Sequence, residues 1–407
     1  MTRTERQLLA IENWKKAGGR ATIVAATGTG KTRIAVMTIQ RVLNKAPTCN
    51  VVVIVPTKAL YNQWVGILKE WNLSQVVIKI INTASMKVFN CDFLVCDEIH
   101  RFVGCQFRKV FKNCNPKLIM GLTATYERLD GKEKEVLDKY CPVCDIISLE
   151  EALENGWLAV YKEYKVMLDV DLTEYNKANQ AFIQHFSFFD FNWDSAVKAL
   201  SDIFYQQKLA KQMNCALKEV KAHAYAWNKA LQFRKSFIAN HPKKLEIAKK
   251  ILNARKTSKA ITFNSSIKQC EAYGFGYVVH SGNGKKKNQM TLEEFAKQGP
   301  GSVIHSSKML IEGLDCPGLN LAIITGFNSS KINRVQSRGR CIRQEPGKEA
   351  EIFILILKGT VEAKWDAKAS EDSSYIEINE EELTDILNHK SLNKTIKKGD
   401  KYNGIRY

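Results

Sequence analysis

Three short stretches of this chain have residue types and spacings suited to chemistry. The first is Ala25-Ala26-Thr27-Gly28-Thr29-Gly30-Lys31-Thr32, set between an apolar run (Ala21-Thr22-Ile23-Val24) and a segment with apolar residues at helical spacing (Ile34 to Leu43). Glycines let such a loop curl until the N–H groups of Thr27 to Thr32 turn toward one anion. A helix starting there adds the positive end of its dipole. Lys31 would bring a full charge to a β/γ-phosphate, and the Thr32 hydroxyl could ligate Mg²⁺. The second stretch is Asp97-Glu98, at the end of the apolar run Phe93-Leu94-Val95-Cys96. One carboxylate there can organise a cation and its neighbour can act as general base toward water. Two acids at a strand end can also be a plain cap. The third is Gln336-Ser337-Arg338-Gly339-Arg340-Cys341-Ile342-Arg343, with Gly313 and Asp315 just upstream. Arg340 and Arg343 lie three apart and share a helix face. They could stabilise negative charge from across a cleft, or simply form a solvated basic surface.

Elements that could hold these groups follow from the hydrophobic pattern. Val51 to Val55, Val76 to Ile81, Phe93 to Cys96 and Leu118 to Leu122 read as short strands that are apolar on both faces, as buried parallel strands are. Helical patterns alternate with them, the signature of a doubly wound parallel α/β domain. In such a sheet the clusters at strand C-termini meet in one crevice. Here these are the glycine loop, Pro56-Thr57, Asp97-Glu98-Ile99-His100 and Thr123-Ala124-Thr125. Alternation resumes after Pro242, with strands at Ala260 to Phe263, Tyr277 to His280, Ser302 to His305, Ala322 to Thr325 and Ile352 to Ile356. This second sheet lacks a phosphate loop of its own.

Between the two lies a glycine-free segment, Tyr175 to His241, crowded with aromatics among Lys198, Lys208, Lys211, Lys218 and Lys221. Such a pattern packs as a helical core with a solvated basic face, or stacks on bases while the lysines meet phosphates. Beyond Gly359 the chain turns polar, with an acidic stretch at Glu380-Glu381-Glu382 and a basic end that reads as loose. The expected divisions are 1–145, 146–240 (linker and helical insertion), 241–360 and a polar extension over 361–407.

Composition sets the frame. Of 407 residues, 61 are Lys or Arg against 42 Asp or Glu, a formal charge of +19, and a field of that sign attracts polyanions such as nucleic acid. No apolar run approaches the roughly 20 residues of a membrane span, so no membrane partner is expected. Eleven cysteines without a secretory leader suggest a reducing cytoplasm, or the host cytoplasm for a phage-borne gene. The pair Cys141 and Cys144 has no second knuckle at zinc-site spacing, and buried thiols are expected instead.

In order along the chain, these motifs resemble those of superfamily 2 helicases, within the Asp-Glu-x-His group of UvsW, XPB and type III restriction motor subunits. Gln7 matches the base-reading glutamine, with Arg6 where an aromatic is frequent; Gly28, Gly30, Lys31 and Thr32 match motif I. Pro56-Thr57 and Thr83 resemble motifs Ia and Ib, and Asn264-Ser265 resembles motif IV. Asp97-Glu98-Ile99-His100 resembles motif II and Thr123-Ala124-Thr125 motif III. Gly313 and Asp315 resemble motif V, and Gln336, Arg340 and Arg343 resemble motif VI. The resemblance covers both α/β units but neither the aromatic insert nor the tail. It implies two RecA-like domains in tandem with ATP and Mg²⁺ between them. On one side stand Gln7, Lys31, Thr32, Asp97 and Glu98, on the other Gly313, Asp315, Gln336, Arg340 and Arg343. A nucleic-acid strand would be held through its backbone by Pro56, Thr57, Thr83, Asn264 and Ser265. The implied activity is ATP-dependent DNA unwinding or branch migration. A double-strand translocase that never unwinds, an RNA helicase and a non-catalytic nucleic-acid-binding scaffold are the alternatives.

Overall fold

The computed structural model describes residues 1–126, 133–307, 316–326, 349–370, 374–390 and 394–398. Strands are labelled in chain order. The first sheet holds β1 (Arg20–Ala25), β2 (Val51–Val55), β3 (Val77–Ile80), β4 (Phe93–Asp97), β5 (Leu118–Thr123) and β6 (Val143–Ile147). It is parallel throughout, in the order β3-β2-β4-β5-β1-β6. β2 and β4 are buried along their whole length, which is why their sequences show no polar alternation. The order places β5 between β4 and β1, so the ends of these three strands share one edge. Gly121 allows that close packing, because a Cβ there would lie 2.5 Å from Thr22 Oγ1 on β1 and from the Ile99 side chain.

The second sheet contains β7 (Val160–Leu168), β8 (Lys259–Asn264), β9 (Tyr277–Val279), β10 (Val303–Ser307), β11 (Leu319–Ile324), β12 (Glu349–Leu357), β13 (Ser374–Ile378) and β14 (Lys397–Lys398). Its order is β14-β13-β7-β12-β11-β8-β10-β9, parallel except for the short antiparallel β13–β14 pair. Two expectations need correction here. β7 lies in the stretch expected to be linker, yet it pairs with β12 over nine residues inside the sheet. The extension beyond 360, expected to be polar, supplies β13 and a helix (Glu380–Leu387) whose Leu383, Ile386 and Leu387 are buried. Both were hidden by charge. Glu163 and Lys165 on β7 are each 3% exposed, with Lys165 Nζ 2.5 Å from Asp366 Oδ2.

Between β7 and β8 of the second sheet, the chain forms the helices Thr173–Ser187, Trp193–Ser201, Ile203–Gln212 and Leu217–Asn240. They enclose a core of their own, built on Phe186, Phe189, Val220 and Trp227. Other aromatics of this segment face outward instead, notably Phe204 at 80% and Tyr225 at 70% exposure.

The second domain is tied together by a buried ion pair. Lys244, from the helix Pro242–Ala254, places Nζ 2.6 Å from Glu362 Oε1, and both side chains are fully buried. Lys244 also donates to Thr325 O at 2.7 Å, while Glu362 accepts from Leu357 N. Burial pulls the lysine pKa down and pushes the carboxyl pKa up, and each charge opposes the other's shift. Lys244→Met strands a buried carboxylate and is expected to cost about 3–5 kcal/mol. Lys244→Met/Glu362→Leu should recover most of that loss, both read from denaturant unfolding midpoints.

Candidate active site

Helix Lys31–Lys45 starts directly after Gly30, whose φ of 95° only glycine adopts readily. Gly28 also has a positive φ, of 93°. The Thr29 hydroxyl donates to Ala26 O at 2.7 Å and the Thr29 N–H donates to the same carbonyl at 3.1 Å, so both donors close the turn and Thr29, expected at the phosphates, shapes the loop instead. Lys31 Nζ reaches back over the loop to Ala25 O at 3.2 Å.

The loop is braced from behind by the helix Arg3–Lys16. Gln7 Nε2 donates to Thr29 O at 2.8 Å, and Arg3 donates to the carbonyls of Thr29 and Gly28. A Cβ on residue 30 would lie 2.3 Å from Gln7 Nε2, so the glycine serves the brace as well as the turn. Gln7 is 1% exposed, and its Oε1 has no hydrogen-bond partner among the described residues. The position before it, where the resemblance often has an aromatic, pins this helix to the sheet. Arg6 donates to Asp145 at 2.7 and 3.1 Å, to Ile146 O at 2.9 Å and to Glu151. Sequence reasoning found no role for Arg3 or Arg6.

Across the edge, Asp97 ends β4 at 5% exposure. The Trp64 indole donates to its Oδ2 at 2.9 Å, and Glu98 N donates to Oδ1 at 3.1 Å. Burial raises the Asp97 pKa; the Trp64 hydrogen bond and the Lys31 charge oppose that rise without cancelling it. Trp64 lies on the helix Lys58–Glu70, which Thr57 caps by accepting from Leu60 N at 3.3 Å. Nothing in the motifs marked Trp64; its one signal was an aromatic N–H on the apolar face of an amphipathic helix.

Glu98 occupies the left-handed region at φ 52°, a conformation costing roughly 1–2 kcal/mol for a side chain of this kind. That turn swings its carboxylate back toward His100, whose Nδ1 lies 3.4 Å from Oε2. The same Nδ1 lies 2.9 Å from Thr123 Oγ1 at the end of β5. Thr123 donates its hydroxyl proton to Thr125 O at 2.7 Å, so toward the histidine it acts as acceptor and Nδ1 carries hydrogen. A run of polar contacts therefore links Glu98, His100 and Thr123, all at one sheet edge with Lys31.

The remaining expected residues are not all brought together. Pro56 and Thr57 are half-buried and Thr83 is exposed. Asn264, expected against a strand, is 3% exposed and committed internally: its amide donates to Thr262 Oγ1, and its Oδ1 accepts from Tyr273 and Thr325 hydroxyls. It holds the second sheet's edge together and offers no face to a ligand. Ser265 is half-buried, with its Oγ 1.8 Å from where a Cβ on Gly326 would stand. Gly313, Asp315, Gln336, Arg340 and Arg343 lie outside the described residues. Cys141 and Cys144 are unbridged thiols whose pKa values burial pushes up to about 12 and about 11. Among the described residues, no three His, Cys, Asp or Glu side chains gather as a metal cage, and no helix is long and apolar enough to cross a membrane.

Two protein families match the chain in succession. "Type III restriction enzyme, res subunit" matches residues 1–88 and 75–128, and "Helicase conserved C-terminal domain" matches residues 243–345. The "DNA 3'-5' translocase XPB2" of Sulfurisphaera tokodaii is 27% identical over 378 residues, spanning 88% of this chain and 82% of that protein. In fold, the chain is similar to the crystal structure of the Pyrococcus furiosus Hef helicase domain, with a TM-score of 0.54 at 18% identity, over 88% of this chain and 96% of that one. It is also similar to the "ATP-dependent Type ISP restriction-modification enzyme LlaBIII bound to DNA", with a TM-score of 0.55 at 16% identity, over 89% of this chain and 29% of that one. A phosphate-loop sheet followed by a second parallel sheet, and the two helicase families matched in succession, support a superfamily 2 helicase similar to the XPB and type III restriction group, an enzyme that hydrolyses ATP and acts on nucleic acid.

Proposed function

We propose that this protein is a motor on DNA that unwinds or branch-migrates duplexes at the expense of ATP, working in the cytoplasm. The observation that carries the reading is the sheet edge where Lys31, buried Asp97, Glu98 and His100 converge with Thr123. The N–H groups of Thr27, Gly28 and Gly30 to Thr32 would cradle the phosphates, and Gln7 Oε1, an acceptor left open, would take the amine of the base. Thr32 and Asp97 are hard oxygen donors and would hold Mg²⁺, which would supply neutralisation of phosphate charge. Glu98 would orient and deprotonate the attacking water. Gly313, Asp315, Gln336, Arg340 and Arg343 would complete the site from the second domain, the arginines stabilising charge on the transferring phosphoryl group. His100 and Thr123 would report the state of the γ-phosphate to the domain movement.

DNA rather than RNA is supported by the translocase named above and by the charge of +19, which suits backbone contacts of little sequence specificity. Pro56, Thr57, Thr83 and Ser265 remain the proposed strand contacts. A second reading is a double-strand translocase that never unwinds, and the word translocase in that relative's name bears on it. ATP hydrolysis and strand separation compared across single-stranded, duplex and forked DNA and RNA distinguish these. Fastest hydrolysis on DNA with release of the forked strand is expected; turnover stimulated only by RNA would overturn the DNA assignment.

Lys31→Ala and Glu98→Gln should each lower nucleic-acid-stimulated hydrolysis by about 10³-fold or more with the fold intact. Retention of near-normal turnover by either variant contradicts the site. Trp64→Phe removes the donor that opposes the raised Asp97 pKa. Because the ionised carboxylate is the working form, activity should fail at higher pH on the acid side of the profile. An acid limb that stays in place removes Trp64 from the site.

A further inference from the structure

The helical insertion carries a half-exposed apolar face that no described residue fully covers, although Trp193 also packs edge-on against Phe186 and Trp227. On the helix Trp193–Ser201, Trp193, Val197 and Leu200 are 47%, 43% and 38% exposed. At 3.6 residues per turn they fall within an arc of about 60°. Ala196 and Ala199, on the adjoining side, are buried against the insertion's own core. Ile203 and Phe204 extend the apolar surface at 41% and 80% exposure. Exposed apolar stripes of this kind mark association surfaces.

Charge tells what the stripe meets. Residues 188–216 contain three aspartates (Asp190, Asp194, Asp202) and three lysines (Lys198, Lys208, Lys211), so this part has no formal charge in a chain of +19. All six are exposed. A surface made to hold phosphates would be among the most basic parts of the molecule, not a neutral one. The arrangement is self-complementary instead. Asp194 and Lys198 lie one turn apart on the same flank of the stripe, and neither forms an ion pair within the described residues. When the helix packs antiparallel against its own copy, a two-fold axis level with residue 196 brings each Asp194 alongside the other Lys198. We infer that two copies of this chain associate through the faces of helix Trp193–Ser201, in a symmetric antiparallel pair.

Sedimentation velocity of the full chain, with nucleic-acid-stimulated ATP hydrolysis as the control for folding, tests this. The wild type should show a concentration-dependent dimer in the micromolar range, typical of a small apolar interface. Lys198→Glu should weaken it about tenfold or more by placing like charges together, and Asp194→Lys/Lys198→Glu should restore it, each variant hydrolysing ATP normally. Val197→Asp should give a monomer of unchanged activity; if it does not fold, the charge reversal decides alone. A wild type that stays monomeric at about 100 μM overturns the inference. A dimer indifferent to Lys198→Glu does so too, because it forms elsewhere. DNA affinity that falls in Lys198→Glu and is not regained in the double variant, with sedimentation unchanged, overturns it in favour of a nucleic-acid contact.

Discussion

Turning a loop's N–H groups toward one point turns its carbonyls the other way, and those carbonyls need donors. Buried backbone acceptors without partners cost about as much as lost hydrogen bonds. The carbonyls of Gly28 and Thr29 find theirs on a single helix, in Arg3 and Gln7. That helix is fixed in turn by Arg6 on Asp145 and Glu151, beside the strand next to β1. The anion cradle is thus one side of a structure whose other side is the first helix of the chain. Its shape depends on residues more than 100 positions away.

The acid side of the edge follows a different rule. A carboxylate at 5% exposure is held back from ionising, and Asp97 answers with a neutral indole donor and a distant lysine rather than a direct ion pair. The arrangement leaves the carboxylate free of a permanent cation. Glu98, one residue on, adopts the left-handed backbone and so points along the edge toward His100 instead of continuing the strand. Two adjacent acids thereby face different surroundings, the usual condition for two carboxylates to do different work.

Much of this was legible from residue types. The glycine loop, the acid pair and both parallel sheets have local signals, because apolar runs and phosphate-loop geometry depend on neighbours in sequence. What was not legible depends on partners distant in sequence. β7 carries Glu163 and Lys165 inward, so it lacks the apolar run of a central strand, and the Lys165 charge is balanced from beyond residue 360, by Asp366. Asn264 matched a motif position but is used up by Thr262, Tyr273 and Thr325, the last of them 61 positions away. Trp64 could not be distinguished from other buried aromatics until Asp97 was seen beside it. The insertion was read as core or as basic surface, and it contains a core together with a neutral apolar face.

The position of Gly30 bears on how this sequence can drift. A single added carbon there would occupy the space of the Gln7 amide nitrogen. The position is therefore closed twice, by its backbone angle and by its neighbour, and relief of one restriction leaves the other. Shortening residue 7 would open the space but leave the Thr29 carbonyl to Arg3 alone. Variation in this loop must therefore proceed by paired changes on two elements, so the loop and the first helix are expected to change together or not at all.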